Sequence, residues 1–147
     1  MLLTRYSTVA LIALLTSGCA QQPTHSTTTA EPPQPLTGQW QVESVNGGGI
    51  IDASHLTLVF IDAERIAGSS GCNRYNAGFS QQGKDIRISA PASTRRACAP
   101  ALMQQEQRFL QALSESVSYQ WQDNHWLIFS DNKGAPRLKL IQQQPAP

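Results

Sequence analysis

Short apolar runs that alternate with polar residues, cut by turn signals every few positions, restrict this chain's fold more than any other feature. Trp40 and Val42, Ile86 and Ile88, and Leu138 and Leu140 carry this period of two, and Leu56 to Ile61 is a β-branched and aromatic run. A period of two puts alternate side chains on one face of a strand. Asn46-Gly47-Gly48-Gly49, Asp62-Ala63-Glu64, Gln81-Gln82-Gly83-Lys84, Asp123-Asn124 and Asp131-Asn132-Lys133-Gly134 break the runs with turn residues. Arg65 to Gly71 and Tyr75 to Ser80 read as weaker strands flanking Cys72-Asn73-Arg74. Val117, Tyr119 and Trp121 alternate again, and Trp126 to Phe129 is a continuous apolar run. About seven to eight short strands with regular turns predict a mostly β fold, a small antiparallel open barrel or sandwich.

One stretch changes period. From Pro100 to about Glu115 the apolar residues Leu102, Met103, Phe109, Leu110 and Leu113 fall on or beside one helical face. Pro100 suits the first helical turn, where a missing N–H costs nothing. The expectation is one α-helix inserted late, with Met103 packed in the core. Gln104, Gln105, Gln107, Arg108 and Gln111 are expected on its wet face.

The first 36 residues have a different character. Residues 1–18 combine Arg5 with the apolar run Val9 to Leu15 and end on Thr16-Ser17-Gly18, which reads as an export signal. The run is too short for a bilayer, which needs about 20 apolar residues. Ser17-Gly18-Cys19 resembles the bacterial lipobox, with Thr16 where leucine is commonest. That resemblance implies a diacylglyceryl thioether on Cys19, cleavage before it, and acylation of the new amine, typically with palmitate. Ala20 in the following position implies transfer to the outer membrane, periplasmic face. Each buried methylene contributes roughly 0.8 kcal/mol, so three chains anchor the protein durably. Residues 19–36 are rich in Gln, Thr and Pro and are expected to form an unfolded tether reaching roughly 50 Å. The folded domain is then expected at 37–141, with a frayed tail at 142–147.

Charge excludes one class of partner. Eleven Lys and Arg face ten Asp and Glu, and removal of Arg5 leaves the two signs equal. Nucleic-acid binding needs clustered basic residues. Arg95-Arg96 is the lone adjacent pair and reads as a solvated loop.

With Cys19 acylated, Cys72 and Cys98 remain, and an even count in an exported chain reads as a disulfide. Closing a loop of about 27 residues stabilises the fold by roughly 3.5 kcal/mol in the chain-entropy model. A zinc site needs about four ligands. His55 and His125 are the candidates in the domain, without a Cys-x-x-Cys pattern, so no metal or cofactor is expected.

Gly71-Cys72-Asn73-Arg74-Tyr75, followed by Gly78-Phe79, resembles the Gly-Cys-Asn-x-Tyr motif of the META/HslJ-like family. Thr94-Arg95-Arg96-Ala97-Cys98 resembles its Thr-x-Met-Ala-Cys motif, and Glu106 with Phe109, Leu110 and Leu113 resembles the helix that follows. Ala77 stands where glycine is usual, which points to an altered turn after Tyr75. Arg96 stands where methionine is frequent and is expected to be solvated. The resemblance implies a β-rich fold with one helix and no established reaction. It also implies envelope or heat-stress tolerance, with novobiocin resistance in the named member. The family's architecture is similar to that of secretin pilot lipoproteins that hold a hydrophobic ligand. Read physically, Gly71 permits a special backbone conformation, Asn73 holds a tight turn, and Tyr75 suits a barrel rim. Gly78 and Thr94 complete the motif, and a structural role is expected for all five residues.

These readings favour a non-enzymatic, monomeric envelope lipoprotein that binds an apolar ligand or a protein partner. A pilot-type assembly role is the alternative. A Cys/His hydrolase using Cys72 or Cys98 with His55 or His125 would need a free thiolate beside a base, which disulfide formation removes.

Overall fold

A computed structural model describes residues 35–143 except Asn124. The expected leader, Cys19, most of the tether and the end of the tail lie outside the described residues.

Ten strands and one helix follow in the order β1 (Gly38–Val45), β2 (Gly48–Gly49), β3 (Thr57–Phe60), β4 (Arg65–Ser69), β5 (Arg74–Gln82), β6 (Asp85–Ile88), β7 (Ala92–Ser93), α1 (Pro100–Glu115), β8 (Ser118–Gln122), β9 (Trp126–Ser130) and β10 (Pro136–Gln142). Neighbours run β10-β9-β8-β6-β5-β4-β3-β1, all antiparallel, and β10 also pairs with β1, which closes a ring. The ring has one weak seam. β6 and β8 share a single registered pair, Asp85 with Ser118, reinforced by Ile86 N–H to the Val117 carbonyl and Tyr119 N–H to that of Lys84. The helix packs against β6, β10 and β1. This is the mostly β, barrel-like fold with one late helix that the periodicity predicts.

Pattern explains the core. β5 alternates strictly, with Tyr75, Ala77 and Phe79 buried and Arg74, Asn76, Gly78 and Ser80 outside. Trp40 and Val42 of β1, Leu58 of β3, Ile66 of β4, Ile86 of β6, Leu127 and Phe129 of β9, and Leu138 and Leu140 of β10 point to the same interior. Phe109, Ala112 and Leu113 of the helix complete it. Fully burying one such large side chain contributes about 1.5–3 kcal/mol.

Several local expectations change. Strand β5 runs through Ala77 without a turn, because Ala77 is buried in the pleat and pairs with Ile66. In β8 only Tyr119 is buried: Val117 precedes the strand and is exposed, and Trp121 is 44% exposed, packed against Trp40 at 5.4 Å. Leu36, placed in the tether by composition, is buried against the core, and its N–H donates to Gln81 Oε1 at 3.0 Å. At the other terminus β10 includes Gln142, and Gln143 N–H donates to the Gln39 carbonyl.

Candidate functional site

The motif residues meet at one end of β5, where the turn after β4 faces the segment leading into the helix. Gly71 sits there with φ +90°, and a Cβ would stand 3.2 Å from both Gln105 Nε2 and Leu56 Cδ1. Backbone strain and crowding therefore both select glycine. The next residue, Cys72, is bonded to Cys98 with Cα atoms 6.0 Å apart, which ties the turn to the segment before the helix.

Asn73 is the hub. Its Oδ1 accepts from Thr94 Oγ1 at 2.9 Å and from Arg96 N–H at 2.7 Å. Its Nδ2 donates to both carboxylate oxygens of Glu106, at 3.0 and 3.2 Å. Its backbone is held by Ser70, whose Oγ donates to the Asn73 carbonyl at 2.8 Å and accepts from the Asn73 N–H at 3.2 Å. Thr94 Oγ1 also accepts from Arg74 N–H, and Thr94 N–H donates to the Arg74 carbonyl. Donors and acceptors of the motif are thus spent on one another, as buried polar groups require.

Gln105, expected on the wet face, is misplaced by the hydropathy pattern, and Glu106, which that pattern assigned to neither face, is buried beside it. Gln105 is 2% exposed and Glu106 8%. Gln105 Oε1 accepts from Ile51 N–H and its Nε2 donates to Ser54 Oγ, both at 2.7 Å, fastening the helix to the loop before β3. Met103, expected in the core, is 45% exposed instead. Helical spacing holds the reason: stepping back three, four and seven residues from Phe109 reaches Glu106, Gln105 and Leu102, one continuous face. Met103 lies off that face.

Tyr75 occupies the interior rather than a rim. Its ring meets Phe109 edge-on at 5.4 Å, its hydroxyl donates to the Thr57 carbonyl at 2.9 Å, and burial pushes that hydroxyl well above the ordinary phenol value. Gly68 makes room: a Cβ there would lie 2.0 Å from the Thr57 carbonyl oxygen. Gly78 takes a different part, donating its N–H to Ser89 Oγ at 2.7 Å on the outside of β5. His55 and His125 are exposed.

Beside the clasp lies an open groove of about 480 Å³, lined among others by Asn73, Thr94, Arg95, Arg96, Met103 and Glu106. A second groove, of about 570 Å³, lies at the far end of β5 and is lined by Leu36, Phe60, Ile61 and Phe79.

A ring of antiparallel strands packed by one helix, with a disulfide-backed Gly-Cys-Asn turn hydrogen-bonded to that helix, defines a small single-layer barrel module. The META domain family model matches residues 34–144, and the chain belongs to that family. Two solved structures share the fold. A protein from Burkholderia xenovorans, determined by NMR, has a TM-score of 0.59 at 19% identity, covering 85% of this chain and 99% of that one. A second NMR structure has a TM-score of 0.55 at 23% identity, covering 71% of this chain and 87% of that one. No curated protein matches the chain.

Proposed function

We propose that this chain is an envelope lipoprotein, held at the periplasmic face of the outer membrane by acyl chains on Cys19, whose META domain acts without catalysis by engaging a protein partner at its surface. Its cellular role on this reading is tolerance of envelope or heat stress. The observation that carries the choice of partner over an enclosed apolar ligand is the filled barrel. Trp40, Phe109, Phe129, Leu58, Leu127 and Leu140 occupy the interior at 0–1% exposure. Ligand sites in such folds are cavities with a few convergent polar groups, whereas here the convergent polar groups bond one another.

Two measurements test it. Metabolic labelling with palmitate is expected to mark the full chain in the membrane fraction, and Cys19→Ala is expected to abolish both label and sedimentation. An unlabelled wild-type chain would remove the anchored reading. Native mass spectrometry of the full chain released from detergent is expected to give the acylated mass alone. A retained small molecule that leaves on unfolding would replace the partner reading with a carrier.

A further inference from the structure

We propose that the groove between residues 93–97 and α1 docks an acidic stretch of a protein partner, with one apolar side chain of that stretch seated on Met103 and Leu110. This deepens the reading above and rests on it for the partner being a protein.

Charge is the first observation. Among the described residues Arg65 and Arg137 have carboxylate partners, whereas Arg74, Arg87, Arg95, Arg96 and Arg108 have none. Arg95 and Arg96 line the groove, and the backbone of Arg74 is bonded to Thr94 just before them. All three are exposed. The acidic group among the groove's lining residues is Glu106, buried on its floor and engaged by Asn73. In a chain with nearly balanced charge this rim is positive, and it complements carboxylates.

Apolar surface is the second. Met103 is one of four large hydrophobic residues with high exposure, beside Ile61, Val117 and Trp121, and it shares the groove with half-buried Leu110 and with Ala97. Methionine adapts its shape to different partners. An apolar centre edged by arginines has the composition of an interface hot spot.

Rigidity is the third. The disulfide and the bonds from Asn73 to Thr94 and Arg96 fix the groove's outer wall, so little ordering is left to be done on binding.

The groove is set apart from the point where the chain enters the domain, and the lipid arm of the test below separates a protein from a membrane. The chain toward Cys19 leaves from Leu36, which is bonded to Gln81 near one end of β5, whereas Thr94, next to Arg95, is bonded to Arg74 at its other end. Seven residues of strand separate them by about 23 Å at 3.3 Å each. The groove therefore lies at the other end of β5 from the point where the chain enters the domain.

The test uses the full chain in neutral detergent with ¹³C-methyl methionine. The sequence holds two methionines, Met1 and Met103, so cleavage of the leader leaves Met103 as a lone reporter. The probe is a synthetic ten-residue peptide alternating glutamate with leucine, and its control carries lysine for glutamate. A saturable Met103 shift with the glutamate peptide is expected, weakened at least about tenfold by Arg95→Glu/Arg96→Glu and by raising salt from about 50 mM to about 0.5 M. The milder Arg95→Gln/Arg96→Gln pair is expected to weaken it less, and circular dichroism checks that each variant is folded. No shift, or an equal shift with the lysine peptide, would overturn the proposal. A response to short-chain phosphatidylglycerol without one to the peptide would also overturn it and assign the groove to lipid. Met103→Leu assigns the Met103 signal even in a chain that keeps Met1, and palmitate labelling does not depend on the groove, so the two readings fail separately.

Discussion

Replacing Asn73 by alanine should cost about 3–4 kcal/mol, and the structure shows where that comes from. The side chain makes one charge-assisted contact, to Glu106, two neutral ones, from Thr94 Oγ1 and Arg96 N–H, and two weak ones from Nδ2 to Cys72 Sγ at 3.3 Å and the Arg96 carbonyl at 3.5 Å, which add little. A bond to a charged group contributes about 1.5–3 kcal/mol and a neutral one about 0.5–1.5. Their sum centres near 4 kcal/mol, and water reaching the exposed Arg96 backbone reduces it somewhat. A small domain has only about 5–15 kcal/mol in total. Urea unfolding followed by tryptophan fluorescence should move its midpoint down by about 2 M for a slope near 1.5 kcal/mol/M. Glu106→Leu removes the other partner. The double variant should then be less unstable than the sum of the singles by about 2 kcal/mol, because no buried carboxylate is left without its donor. An Asn73→Ala loss under about 1 kcal/mol, or singles that add within about 0.5 kcal/mol, would refute the clasp as a stabilising unit.

Other consequences follow from the same geometry. Cys72→Ser/Cys98→Ser should lose roughly 3.5 kcal/mol, a fall in Tm of about 15 °C by calorimetry; an unchanged Tm would contradict it. Gly68→Ala should lose at least about 3 kcal/mol or fail to fold, since its Cβ would meet the Thr57 carbonyl at 2.0 Å. Gly49→Ala, with nothing within 4 Å of its Cβ, should stay within about 0.5 kcal/mol of wild type in the same urea assay. Asp131 is held below the ordinary carboxylate range, first by N–H groups of Ala135 and Lys133 and then by Arg137. Its folded pKa is the lower one, so its stabilisation is complete above the unfolded value and is lost as pH falls through the folded one. Melting curves taken from about pH 5 to about pH 2 should show Asp131→Asn with a flatter acid decline than wild type.

Strands were legible because their signal is local: Trp40 with Val42, and Leu138 with Leu140, declare a buried face by spacing alone. The helix was legible for the same reason, but its orientation was not. Gln105 and Glu106 count as wet in any hydropathy pattern, and what buries them lies far away in the chain. Gln105 is satisfied by Ile51, 54 residues distant, and Glu106 by Asn73, 33 residues distant. Met103 was drawn into the core by its apolar character, and nothing local tells that Gln105 and Glu106 had already taken that face. Tyr75 looked like a rim residue for a similar reason: its hydroxyl partner is a carbonyl across the sheet, made reachable by Gly68. Arg95-Arg96 could be seen as a pair, but the exposed methionine facing it belongs to another element.

That division bears on where function resides. Gly71, Cys72, Asn73 and Thr94 make the motif recognisable, and each is used inside the domain: a special backbone angle, a disulfide, a hub, a bond to that hub. Residues so used constrain the fold and leave few free groups for a partner. Arg96 contributes to the clasp only through its backbone, which any residue supplies, so its side chain is free to vary. It carries a guanidinium where the family often has methionine, next to Arg95 and across from Met103. On the proposed docking role, exchanging Arg96 for methionine should weaken binding of the glutamate peptide, read from the Met103 shift, while leaving the urea midpoint in place.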